Sequence, residues 1–195
     1  MADLNRGACL AGVQQVEAGY IDNPYHNNIH AADVTQTMSF FITKPFLLPY
    51  VKPLEILGSL LAAAIHDYAH PGLNNAFHVA TDHELAIRYN DQSVLEAMHV
   101  ASFFDLLQDD ELNPLSDFSR TEYMEMRSLM IDMVLGTDMA HHFTETAKFK
   151  TKLLQVARSQ EQVRGVTGLL WRSAGVCLLT PPPTTPPLPL LCATG

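Results

Sequence analysis

Between Leu54 and Ile65 the chain is almost wholly apolar, and it then gives way at once to a histidine and an aspartate, His66-Asp67. Pro53 stands where a first-turn proline belongs, so the stretch reads as a helix. A helix that is apolar on every side is a buried one. This sequence therefore asks for a fold with that helix in its core and with the polar pair delivered at its end. A neighbouring His and Asp offer a divalent cation one imidazole nitrogen and one anionic oxygen. The second carboxylate oxygen lets Asp67 bridge two ions, and the end of a rigid helix fixes the geometry such a site requires.

The rest of the chain reads as helices around this one. Leu10, Val13, Val16 and Tyr20 give a weak helical pattern over 3–20, broken by Asp22-Asn23-Pro24. Val34, Met38 and Phe41 mark a helix over 30–44, ended by Lys44-Pro45. Residues 67–75, with Pro71-Gly72 and Asn74-Asn75, read as a loop. Helices are expected over 81–89, 93–107, 120–137 and about 138–158, the second of these opened by a capping box of Ser93 and Glu96. No segment shows a convincing period of two, so the fold class is all-α. Composition changes near Ser159. Six of the twelve prolines lie in the final stretch, around Pro181-Pro182-Pro183-Thr184-Thr185-Pro186-Pro187-Leu188-Pro189. Two parts follow: residues 1–158 as a folded domain and 159–195 as an extended or disordered proline-rich tail.

A net charge of −9 leaves no basic stripe for nucleic acid. Cys9, Cys177 and Cys192 form no disulfide framework, which fits a reducing, cytoplasmic setting. Residues 1–10 lack the pattern of a signal peptide, and no apolar run reaches the roughly 20 residues of a membrane span.

Seven of the nine histidines fall between His26 and His99, which concentrates the usual ligand and proton shuttle in one segment. Tyr25-His26-Asn27-Asn28-Ile29-His30 carries two of them across an expected helix start, so their side chains can diverge, one into a site and one onto a metal. Tyr89-Asn90-Asp91-Gln92-Ser93-Val94-Leu95-Glu96 precedes His99, and a glutamate three residues before a histidine can orient metal-bound water. Other residues have plainer readings. His78, His83 and His141 are expected at the surface, Met38, Phe40, Phe41, Phe103 and Phe104 in core faces, and Asp109-Asp110-Glu111 in a solvated turn.

Taken in order, Y-H-N-x-x-H-A-x-D-V, H-D-x-x-H-P-G, Y-N-D-x-S-V-L-E and Gly136-Thr137-Asp138-Met139 resemble the class I cyclic-nucleotide phosphodiesterases, over roughly Leu10 to Gln155. The resemblance implies a compact, truncated multi-helix catalytic fold with a His-Asp metal site. It implies hydrolysis of cyclic AMP or cyclic GMP to the 5′-monophosphate with two divalent ions, Zn2+ and Mg2+, or Mn2+ in place of the latter. It makes His26 the proton donor and His30, His66 and Asp67 the metal ligands. It sets His70, Asn75, Glu96 and His99 around the metal waters, and His26, Asp67, Asp138 and Met139 in the substrate pocket.

Two departures stand out. Ala97-Met98 occupy positions where the family has Asn-His. No match is visible to the aspartate that completes the family's zinc site from a later helix, nor to its purine-reading glutamine. The alternative reading is therefore a catalytically inactive truncated isoform that binds metal or a partner and regulates an intact enzyme, as a homo-oligomer or in association with that enzyme.

Overall fold

The computed structural model describes residues 6–45, 47–152 and 154–155, and all regular structure among them is helical. Among the described residues, α1 (Arg6–Gly19), α2 (Asn28–Ile42), α3 (Pro53–Ile65), α4 (Asn75–Ala80), α5 (Glu84–Tyr89), α6 (Val94–Leu106) and α7 (Arg120–Leu135) follow in order, and a further helical run covers 142–152. Short 3-10 turns stand at Leu48–Tyr50 and Met139–His141. The chain divides into compact units at 1–145 and 146–195; the described residues of the second are helical. The expected tail, 159–195, lies outside the described residues.

The apolar stretch is the axis of the first unit. α3 packs against α2 on one side and α7 on another, while α6 packs on α7 and α5 on α6. Leu54, Leu61, Ala62 and Ile65 of α3 meet Val100, Phe103 and Phe104 of α6 and Met126, Met130 and Val134 of α7. The α7 residues recur every fourth position, one stripe of a helix, and all three are fully buried. The entry to α7 is secured by a capping box: Ser119 Oγ accepts from the Glu122 amide while the Glu122 carboxylate accepts from the Ser119 amide.

Several expectations need correction. α4 lies just past the expected 67–75 loop; Asn74 caps it by accepting from the Phe77 amide. α7 ends at Leu135, where Gly136 and the turn at Met139–His141 intervene. Phe40 and Phe41 are more than half exposed, because α2 buries only Ala31 and Ile42. His78 is 2% exposed: the turn after α4 folds its ring against that of His83, at 4.6 Å.

α1 braces the end of α3. Tyr20 Oη donates to the Ala64 carbonyl at 2.9 Å, and the Tyr20 and Tyr68 rings meet edge to face at 6.0 Å. This fit depends on Gly19, where a β-carbon would overlap the Tyr68 ring. Gly19→Ala is therefore expected to destabilise the chain by about 1–3 kcal/mol through overpacking, read as a lower urea midpoint. An unchanged midpoint would show that Tyr68 moves aside freely.

Candidate metal centre

The first two ligand candidates are set by a helix start. Asn27 is the N-cap of α2, and its Oδ1 accepts from the Ile29 and His30 amides at 3.0 and 3.1 Å. The capping places His30 in the first turn and leaves His26 outside the helix, so the two rings do diverge, with centroids 6.0 Å apart and planes nearly perpendicular. His66 closes α3 at its C-terminal end, and its Nδ1 donates to the Ala63 carbonyl at 2.9 Å. Its Nε2 then faces away from the helix, toward His30 and Asp67.

Three atoms converge there. His30 Nε2 lies 3.3 Å from His66 Nε2 and 3.4 Å from Asp67 Oδ2, and His66 Nε2 lies 3.1 Å from the same oxygen. A tetrahedral ion with bonds near 2.05 Å holds its ligands about 3.3 Å apart. The triangle has the edge lengths of such a coordination face, and two imidazole nitrogens with one carboxylate oxygen are a suitable donor set. The other oxygen, Asp67 Oδ1, points toward His99 Nε2 at 3.8 Å. Asp67, His70 and His99 cluster on that side, where Asp67 Oδ1 and His99 Nε2 are the open donor atoms, so the carboxylate faces both ways.

The surrounding hydrogen bonds assign proton positions. His99 Nδ1 donates to the Tyr68 carbonyl at 2.6 Å, leaving Nε2 with its lone pair toward Asp67. His70 differs: its Nδ1 accepts from the Gly72 amide at 2.9 Å, so a neutral ring carries its proton on Nε2. Gly72 reaches that position at φ 84°, which favours glycine. The His70 ring stacks on that of His26 at 4.0 Å and 10°. Asn75 holds the next layer together. Its Oδ1 accepts from the Leu95 amide and its Nδ2 donates to Glu96 Oε2, both at 2.9 Å.

The charges follow from burial and neighbours. Burial alone would raise the Asp67 pKa, but its hydrogen bond to His66 and the charges of His66, His99 and His26 hold it down to about 2. Burial works against charge on His66 as well, yet Asp67 outweighs it and raises that pKa. Burial lowers His70 and His99 to about 4, and lowers His30 with the help of the His66 charge. Glu96 is raised, chiefly by burial.

All ten residues expected from the sequence line one cleft: His26, His30, His66, Asp67, His70, Asn75, Glu96, His99, Asp138 and Met139. Residues 25–178 match the family described as 3'5'-cyclic nucleotide phosphodiesterase. The chain belongs to that family. The matched stretch runs past Gln155, where the motif resemblance ended, and past the expected boundary at 158. Among this phosphodiesterase chain's relatives is the human dual specificity calcium/calmodulin-dependent 3',5'-cyclic nucleotide phosphodiesterase 1B, 48% identical over 151 residues. A Drosophila melanogaster phosphodiesterase 1 of the same description is 46% identical over 159 residues. These matches cover 76% and 80% of the chain but only 28% and 19% of the relatives' lengths. The crystal structure of the phosphodiesterase domain of Salpingoeca rosetta rhodopsin phosphodiesterase superposes with a TM-score of 0.73 at 35% identity, over 76% of this chain and 45% of that one.

Two sequence readings of this site change. Ser93 and Glu96 form no capping box: the Ser93 side chain caps nothing, the Glu96 carboxylate turns to Asn75, and Asn75 itself satisfies the Leu95 amide. Asn23, read only as part of a helix breaker, joins the first two motifs. Its Nδ2 donates to the His26 carbonyl at 2.9 Å and the His70 carbonyl at 3.2 Å. No local pattern announces that contact, because His70 is 47 positions away.

In the metal-free chain His70 and His99 bind protons less readily folded than unfolded. Their stabilising effect is complete above pH 6.5 and is lost as the pH falls toward 4. His66 acts in the opposite sense: its raised pKa favours folding at low pH, a gain lost as the pH rises through the folded value. With His30 and His78 also lowered, the chelator-treated chain is expected to lose urea resistance between pH 6.5 and 4.5. A rising midpoint over that window would mean that His66 dominates.

Proposed function

We propose that this cleft carries out metal-dependent hydrolysis of 3′,5′-cyclic nucleotides, cyclic AMP, cyclic GMP or both, to nucleoside 5′-monophosphates. The observation that supports it most is the triangle of His30, His66 and Asp67 at the end of a buried helix, in a chain of the phosphodiesterase family. The imidazole-rich face suits zinc. The side of Asp67 toward His99, with Glu96 and Asn75 beyond it, suits a harder ion that keeps several waters, magnesium or manganese. When bound, two such ions activate water and neutralise phosphoryl oxygens.

The chain's own residues supply the rest. His26 stands beside the ligand triangle without joining it, and is the group to hand a proton to the departing O3′. Its stacking on His70 and the Asn23 bond to its carbonyl keep the ring from swinging away. His70 presents an Nε2 proton and His99 an Nε2 lone pair, so the two can orient water from opposite roles. Glu96, held by Asn75, adds an acceptor. Met139, 70% exposed, offers an apolar surface at the rim for the nucleoside.

Metal binding and turnover are measured separately. Zinc at a hundredfold excess over its dissociation constant should stabilise the chain by about 2.7 kcal/mol, and His66→Ala should remove that gain. A thermal shift that survives in His66→Ala would place the ion elsewhere. With zinc and magnesium present, cyclic nucleotide hydrolysis is expected, falling to background in a His66→Ala, Asp67→Ala variant. Zinc stabilisation without turnover would favour the regulatory reading, and turnover that persists in the double variant would overturn the proposed site.

A further inference from the structure

The Ser93 hydroxyl, freed from helix capping, donates to Asp138 Oδ2 at 2.8 Å, across 45 positions of chain. Asp138 is 9% exposed, and its other oxygen accepts from the Ala140 amide at 2.9 Å. Both carboxylate oxygens are thus engaged, and the side chain is committed to structure although the residue lines the cleft. Ser93 reaches this bond from an unfavourable backbone. It has φ 42° and ψ 51°, and Asn90 and Asp91 before it are also left-handed, at φ 53° and 61°. Asn and Asp tolerate that region, whereas for a serine the cheaper residue would be glycine. A serine that neither caps its helix nor suits its backbone conformation has one evident return: the bond to Asp138.

We propose that Ser93 is a positioning residue, a latch that ties the segment Gly136–Met139 to the start of α6 and so keeps Glu96 and His99 facing Asp67. The proposal rests on the metal-site reading given above. α6 carries Glu96 in its first turn and His99 in the next. Asn75 fixes the same end of the helix from one side, through Leu95 and Glu96. The latch fixes it from the other side, where the segment leaving α7 brings Met139 to the cleft. The amides of Gly136, Thr137 and Asp138 bond back to α7. The latch therefore sets α6 against the end of α7 at the point where both meet the site. Without it, Asp138 keeps a single partner and the two walls can separate.

Ser93→Gly separates this role from a general one, because glycine relieves the backbone while deleting the hydroxyl. The latch predicts a melting temperature kept or raised. It also predicts amide exchange in residues 136–141 at least about tenfold faster, the factor a hydrogen bond to a charged group is worth. Mn2+ affinity should fall by about tenfold with zinc binding unchanged. Ser93→Asn, which tolerates the backbone and retains a donor, should restore both. Unchanged exchange at 136–141 overturns the latch whether or not metal binds. Early melting with faster exchange throughout also overturns it, since that marks general packing. Faster exchange at 136–141 with Mn2+ affinity intact overturns the positioning role. A wild-type chain that shows the latch by exchange but binds no metal overturns the metal-site reading, and with it the role assigned to the latch.

Discussion

Everything at the centre hangs on one carboxylate held among imidazoles. Asp67 has Oδ2 within 3.4 Å of both His30 and His66 Nε2, and Oδ1 turned toward His99. A buried carboxylate with no such neighbours would take up a proton rather than stay charged. Here the histidines hold it ionised, and an ion would strengthen the same arrangement by replacing shared protons with bonds. The position is set before any metal arrives, because His66 and Asp67 sit at the end of a helix that is wedged between α2 and α7.

Around that carboxylate, backbone groups do much of the aiming. The Ala63 and Tyr68 carbonyls turn His66 and His99 so that both present Nε2, while the Gly72 amide turns His70 the other way. His66 and His99 thus share one proton placement and His70 takes the opposite one, each set by its own backbone partner. The same economy explains the rewired start of α6. Asn75 satisfies the Leu95 amide, which releases Ser93 to reach Asp138 and lets Glu96 face the cleft. The stretch Ser93-x-x-Glu96 has the local pattern of a capping box, but Asn75, 20 positions before Leu95, holds both the Leu95 amide and the Glu96 carboxylate, and the left-handed backbone of Ser93 is not that of a cap.

Plain packing was less legible than the site. Phe40 and Phe41 share a helix with residues that do pack, yet α2 shows the core only a narrow face, and they fall outside it. His78 carries no sign of burial in a segment of loop character, and the six-residue α4 is held by Asn74 and by contacts to α5 and α6 rather than by any apolar period. The Ala97-Met98 departure is partly accounted for by burial: Met98 is 9% exposed and faces inward on α6.

By itself the sequence determined the helical class, the buried helix with its terminal His66-Asp67 pair, and the identity of the residues that line the cleft. Those features are written in short-range patterns: an unbroken apolar run, a helix boundary between His26 and His30, and motifs of a few residues. Only the tertiary structure decided which ring nitrogen faces the centre, that Asn23 joins the first motif to the second, and that Asp138 is spent on Ser93. Each of these is a hydrogen bond between groups far apart in the chain, and its partner is chosen by how α1, α3, α6 and α7 pack, which no local spacing encodes.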